Sequence, residues 1–269
     1  MYLGIDIGGT KTYVARLNRD GVIEEHHKIP TPEKYPDFIK SLRETIDKLS
    51  TREFIAAGVG VPGKIDRKNG VAISFGNLAW RRVPLRRDIH KIVGCPVLIE
   101  NDANLAGLSE AMLVKHKYNK VLYLTISTGI GSGIITNKEI DPEFIDSEAG
   151  QIILEHDGRP EKWEKFASGS AIVKHFGKQA HDIHDQKSWH LVAANIAEGL
   201  LDLIPIIQPG VIIIGGGAGS YFDRFSKFLV SDLRHYDNAL APIPPIIKAQ
   251  RPSEAVLYGC YDLAKANYG

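Results

Sequence analysis

An α/β fold is predicted for this 269-residue chain, and three observations carry the prediction. Strand-like and helix-like stretches alternate along its whole length. The run Val211-Ile212-Ile213-Ile214 is apolar at every position, as a strand buried on both faces must be. Glycine turns close strands at Gly8-Gly9, Gly129-Ile130-Gly131 and Gly215-Gly216-Gly217, where backbone N–H groups can approach an anion closely.

The elements follow in order. Tyr2 to Ile7, Lys11 to Leu17 and Val22 to Ile29 read as strands, joined by Gly8-Gly9 and by the hairpin signal Asn18-Arg19-Asp20-Gly21. Pro30, Pro32 and Pro36 break the pattern, and helical spacing of Phe38, Leu42, Thr45, Ile46 and Leu49 predicts a helix over about Asp37 to Leu49. Ile55 to Val61 is a strand ended by Pro62-Gly63, and Pro96 to Glu100 is a short strand entering a helix that carries Leu105, Leu108, Ala111 and Met112. Lys120 to Ile126 and Gly133 to Ile135 are strands separated by the segment Thr128-Gly129-Ile130-Gly131-Ser132-Gly133. A helix over Trp189 to Ile207 stops at Pro209-Gly210, a second covers Phe222 to Leu233, and a third Ser253 to Ala264. The apolar-strand-then-glycine pattern recurs, which predicts two related halves. The boundary is placed at the polar stretch Lys115 to Lys120, giving domains 1–115 and 116–252, with residues 253–269 returning to the first.

Composition excludes several classes. Hydrophobic residues are 43% and charged residues 24%, as in soluble globular chains, and 33 basic against 32 acidic residues leave no footprint for nucleic acid or an anionic membrane. Cys95 and Cys260 stand alone, which points to a reducing compartment. MYLGIDIGGTKT is no signal peptide, and the apolar runs look too short to span a bilayer, so a soluble cytoplasmic protein is expected.

The chemistry-bearing positions are few. Thr10-Lys11 and Thr128 add a cation and hydroxyls to the glycine turns, a set suited to a polyphosphate tail, although each turn alone could be a plain connection. Gly58-Val59-Gly60-Val61-Pro62-Gly63-Lys64 nearly matches a P-loop, but Ile65 replaces the metal-binding hydroxyl and Pro62 removes a donor. Asp102, at a strand–helix junction, suits either a helix cap or a general base. Asp6 is an acid in an apolar strand and needs a partner, either a Mg²⁺-bound water or a Lys11 or backbone pairing.

These segments together resemble the ROK family of sugar kinases and related repressors. The carriers are Asp6-Ile7-Gly8-Gly9-Thr10-Lys11, Gly58 to Gly63 with Asn77-Leu78-Ala79-Trp80, Glu100-Asn101-Asp102-Ala103-Asn104, Thr128 to Gly133 and Gly215-Gly216-Gly217, which span nearly the whole chain. The resemblance implies two actin-like, ribonuclease H-like lobes with an interlobe cleft, ATP with Mg²⁺, a hexose or hexosamine substrate, and commonly a homodimer. It makes Asp102 the base, gives sugar hydroxyls to Asn77, Asn101, Asp102, Glu148, Gln151 and Glu164, and gives phosphates to both glycine motifs. The family's His and cysteines for a structural zinc are absent: Gln151 replaces the His, and no cysteine lies between Cys95 and Cys260, so no zinc is expected. His175, His181 and His184 lack supporting ligands and are expected on the surface. Two other functions stay open. One is a kinase using polyphosphate, for which the cluster Arg81, Arg82, Arg86 and Arg87 could provide a track. The other is a sugar-responsive regulator without catalysis, against which the early start of the first motif argues.

Overall fold

A computed structural model describes residues 1–76, 78–251 and 253–269. It divides into two compact units, residues 1–109 with 254–269 and residues 110–253. The division falls inside a helix, ahead of the polar stretch at which the sequence suggested it.

Unit 1 is built on a five-stranded sheet. Its strands are β1 (Tyr2–Ile7), β2 (Lys11–Leu17), β3 (Ile23–Pro30), β4 (Ala56–Val61) and β8 (Val97–Asn101), in the order β3-β2-β1-β4-β8. β1, β4 and β8 run parallel, while β2 and β3 are antiparallel additions. Helix α1 (Tyr35–Ile46) lies between β3 and β4. β5 (Ile65–Asp66), β6 (Val71–Phe75) and β7 (Leu78–Val83) form a small separate sheet, followed by α2 (Leu85–Val93); no pattern above anticipates these four elements. Phe38, Phe75, Trp80, Leu85 and Ile89 fuse them with β1 and β4 into one core. β8 runs directly into α3 (Asp102–Val114).

The sequence's last helix, α9 (Ala255–Tyr268), belongs to this unit and packs on β1 and β4 through Leu257, Tyr261 and Ala264. Its close approach explains the glycines of the apparent P-loop. A Cβ on Gly58 would strike the Cys260 backbone, and one on Gly60 the Val256 side chain. Both lie inside the fully buried strand β4, so neither can cradle a phosphate.

Unit 2 repeats the sheet order. β9 (Lys120–Ile126), β10 (Ile130–Thr136) and β11 (Glu139–Ile140) form the antiparallel part, followed later by β12 (Ile153–His156), β13 (Arg159–Lys162), α4 (Glu164–Ala167), α5 (Gly169–Phe176) and α6 (Gln186–Ile207). Then come β14 (Val211–Gly215), α7 (Gly216–Gly219), α8 (Phe222–Arg234) and β15 (Ile246–Lys248). The main sheet is β11-β10-β9-β14-β15, with β14 parallel to β9 and β15. Position for position this is the order of unit 1.

Several expectations need correction here. The glycine segment Thr128 to Gly133 is not a long loop: β10 begins at Ile130, so Gly131 is a strand residue paired with Thr125. Gly215 is likewise the buried last residue of β14, leaving Gly216 and Gly217 to make the turn. α6 is by length and composition apolar enough to cross a membrane, contrary to the reading of short apolar runs. Half of that stretch is buried, and Trp189, Ile196, Leu200 and Ile204 form the centre of the unit 2 core. The β12–β13 hairpin, also unanticipated, turns on Asp157-Gly158, with φ of 52° and 75°. Positive φ at both central residues is what a two-residue hairpin turn with the strands' own twist requires.

Candidate active site

In unit 1 the carboxyl ends of three parallel strands line up. Asp6 on β1 is in register with Gly60 on β4, which is in register with Glu100 on β8. Ligands of open α/β sheets gather at this edge. Asp102 follows as the first residue of α3 and shares the capping of this helix with its neighbour: Asn101 Oδ1 accepts from the N–H groups of Ala103 (2.8 Å) and Asn104 (3.2 Å), and Asp102 Oδ1 also accepts from Ala103 N–H (2.8 Å). Asn101 Nδ2 donates to the Gly63 carbonyl at 3.3 Å. Asn77 lies outside the described residues.

The support beneath Asn101 and Asp102 is ionic. Glu100 is buried and accepts two bonds from Arg67, Nε at 2.7 Å and Nη2 at 2.5 Å. The same carboxylate accepts from the Asn101 N–H (2.7 Å) and from Asn104 Nδ2 (3.0 Å). A buried charge must be paired in this way, and the forked guanidinium fixes the geometry as well as the charge. Arg67 and Glu100 escape a reading of the sequence, because nothing local marks them as partners.

Asp6 is strongly perturbed. Burial first, and then the charge of Asp102, push its carboxyl from the ordinary 3.8 up to about 7. Like charges brought this close oppose ionisation. The turn after Asp6 is braced from below. Gly8 N–H donates to the Lys11 carbonyl (2.9 Å), and Thr31 Oγ1 donates to the Gly8 carbonyl (2.8 Å). Gly9, Thr10 and Lys11 are exposed.

Unit 2 gathers the remaining predicted positions around one turn, Ser127-Thr128-Gly129. On one side stands Glu164, at the start of α4. A Cβ on Gly129 would sit 2.6 Å from its Oε2, so any larger residue here would push this carboxylate aside. Gln151 Nε2 donates to Glu164 Oε1 at 2.9 Å, and Lys162 Nζ donates to Gln151 Oε1 at 2.7 Å. Glu148 joins this group. Its carboxyl is raised by burial and then by the neighbouring charges of Glu164 and Asp146.

On the other side of the turn lies a cavity of about 590 Å³, lined by Ser127, Thr128, Gly169, Ala180, Gly217 and Tyr221 among others. The turn is tied to this wall by the Gly169 N–H, which donates to the Ser127 carbonyl at 2.7 Å. Gly216 takes φ of 85°, with its Cβ position 2.6 Å from Thr125 Oγ1 and 2.7 Å from the Ile126 nitrogen, while Gly217 opens onto the cavity. Of the glycines in the three turns, only Gly216 uses a left-handed conformation. Among the described residues no group of three His, Cys, Asp or Glu side chains is placed to hold a metal ion. His181 lines the cavity; His175 lies on α5, its ring edge-on to Phe176.

Three of the four clustered arginines have local partners. Arg81 donates to the carbonyls of Leu78 and Trp80, Arg86 to those of Arg67 and Lys68, and Arg87 pairs with Asp88 at 3.0 Å.

The signature of the ROK family matches residues 2–267. A glucokinase of Thermotoga maritima is 33% identical over 274 residues, covering 86% of this chain and 85% of its own. The crystal structure of a ROK family glucokinase from Streptomyces griseus in complex with glucose and AMPPNP is 25% identical. It has a TM-score of 0.82 and covers 98% of this chain and 99% of that one. The inorganic polyphosphate/ATP-glucomannokinase of Arthrobacter sp. strain KM, 26% identical with a TM-score of 0.74, covers 100% of this chain and 99% of its own.

Proposed function

The chain belongs to the ROK family, with the actin-like two-lobe fold of its sugar kinases, and from that premise we propose that it is a sugar kinase transferring the terminal phosphoryl group of ATP to a hydroxyl of a free hexose or hexosamine. One observation carries the reading. The single turn Ser127-Thr128-Gly129 touches the Glu164–Gln151 group on one side and a cavity of about 590 Å³ on the other. A sugar site and a nucleotide site that share a turn are what phosphoryl transfer needs, because the reaction is mostly positioning and charge stabilisation.

In this reading Asp102 takes the proton from the attacking hydroxyl. Asn101 helps to cap α3 and, with the Arg67–Glu100 pair, holds the strand–helix junction rigid. Asn101, Glu148, Gln151 and Glu164 take sugar hydroxyls. Gly8, Gly9, Thr10 and Lys11 in one unit, and Thr128 and Gly129 in the other, present N–H, hydroxyl and ammonium groups to the phosphates. Gly215 and Gly131 act indirectly, as the strand residues flanking Thr125. Gly216 and Gly217 turn the chain along the adenosine side.

The residues fit Mg²⁺. A carboxyl raised by burial and by a neighbouring acid is stabilised by a hydrated divalent cation, which takes one or two carboxylates and otherwise water and phosphate oxygens. Asp6 would hold it through water, and the metal would neutralise charge on the transferred group. No zinc is required in this scheme, and the balanced charge and two buried free cysteines support a cytoplasmic location.

The glucomannokinase neighbour supports a second donor, polyphosphate. ATP is preferred here because three of the four arginines that could have tracked a long anion, Arg81, Arg86 and Arg87, are engaged with carbonyls and Asp88. The test is a panel of ATP and polyphosphate against glucose, mannose, fructose, N-acetylglucosamine and N-acetylmannosamine, reading sugar phosphate. Turnover of at least one sugar with ATP is expected. Silence with every sugar would refute the proposal, and turnover with polyphosphate alone would replace the donor.

A further inference from the structure

We propose that Lys162 is a positioning residue for the sugar, fixing the Gln151 amide in one orientation so that Gln151 and Glu164 meet the substrate with a set polarity. The inference deepens the sugar-kinase reading and rests on it.

The argument starts from donor inventory. Lys162 Nζ lies 2.7 Å from Gln151 Oε1, and Gln151 Nε2 lies 2.9 Å from Glu164 Oε1. An ammonium can only donate, and an ionised carboxylate can only accept. An amide between them has one satisfied orientation; the flipped one would set N–H against ammonium and oxygen against carboxylate. With Lys162 present, Gln151 keeps one N–H and one oxygen lone pair to offer. Without it, the amide oxygen loses the ammonium and Gln151 can rotate away from Glu164.

Local structure delivers Lys162 to this place. It is the last residue of β13, opposite Ile153 in the hairpin register, two residues before Glu164. The short Asp157-Gly158 turn fixes that register, so the ammonium returns to the level of Gln151. The Trp163 N–H donates to the Ile152 carbonyl at 2.8 Å, and the buried Trp163 indole donates to the Asn195 carbonyl at 2.9 Å, anchoring the residue that follows Lys162. Lys162 brings a cation to a group that gathers the carboxylates of Glu148, Glu164 and Asp146.

Purified full-length wild type, Lys162→Met and Lys162→Arg should be compared by steady-state kinetics on the sugar that wild type turns over best, beside thermal melts. Lys162→Met is expected to raise the sugar KM about tenfold while kcat and the ATP KM stay within about twofold, because a charge-assisted bond that orients only the sugar side is lost. Lys162→Arg, which keeps a cationic donor, should recover most of the sugar affinity. A Lys162→Met sugar KM equal to wild type overturns the inference. So does equal impairment of both variants with a lowered Tm, which marks a merely structural lysine. A wild type silent on every sugar would instead overturn the kinase reading, and this inference with it.

Discussion

Asp6→Asn should stabilise the protein at pH 8 and leave it unchanged near pH 4, in the absence of metal and nucleotide. Burial and the Asp102 charge raise the Asp6 carboxyl from 3.8 to about 7 in the folded chain. The unfolded chain releases this proton near the lower value. Between the two values the native state therefore binds more protons, and stability falls as pH rises, by at most about 1.4 kcal/mol per pH unit, levelling off above the upper value. A gap of roughly three units sets a ceiling of about 4 kcal/mol; partial solvent access at Asp6 lowers the expectation to about 2–4 kcal/mol. Asparagine carries no proton to release, so the variant lacks this slope. Urea unfolding at half-unit steps from pH 4 to pH 9, wild type beside variant, measures the difference directly. Parallel curves would refute the reasoning, and so would a wild type that gains on the variant as pH rises. Mg²⁺ with ADP should narrow the gap, because a cation beside Asp6 offsets both causes of the shift.

Three further outcomes are expected. Asp102→Asn should lower kcat by about 10²- to 10⁴-fold while the melting temperature near neutral pH holds or rises, since Asn101 and the new amide oxygen can still cap α3 and the charge that opposes Asp6 ionisation is gone; near-full activity would remove the general base. Gly129→Ala places a methyl 2.6 Å from Glu164 Oε2 and should raise the sugar KM by about tenfold, with stability changed by less than ~1 kcal/mol, as read by kinetics and urea unfolding. Gln151→His should change the kcat/KM ratio between two sugars more than it changes the ATP KM, because unpaired polar groups penalise the wrong sugar; an unchanged ratio would take Gln151 out of the site.

The legible parts of this fold are those in which one face or one strand decides everything. β1, β4, β9 and β14 are buried almost throughout, and their largely apolar runs announce them. β7 hides because its alternation, Leu78 and Trp80 inward with Ala79 and Arg81 outward, breaks at Arg82, which takes a φ of 50°. α2 hides behind Arg86 and Arg87: Leu85, Ile89, Ile92 and Val93 form an apolar stripe, but the basic residues between them read as a charged surface. The same contrast holds in the candidate site. Asp102, Gln151 and Glu164 stand in recognisable segments, whereas Lys162 and Arg67 matter only through partners that the fold brings to them. The glycines of β4 were misleading for the opposite reason. Their cause is α9, nearly the whole chain away, and no local pattern reports it.

That return of α9 has a consequence for synthesis. Everything unit 2 needs is contiguous, residues 110–253, so it can complete its core while α9 is still being made. Unit 1 cannot. Its sheet strands emerge first, yet Gly4, Gly58 and Gly60 leave a bare groove along β1 and β4 into which Leu257, Val256 and Cys260 pack. The earlier-made part must wait, with apolar strand surface uncovered, through the translation of an entire second unit, a delay of about ten seconds or more at ordinary elongation rates. The half that carries Asp6 and Asp102 is thus the last to be finished, and it is the segment for which a chaperone has the longest opportunity.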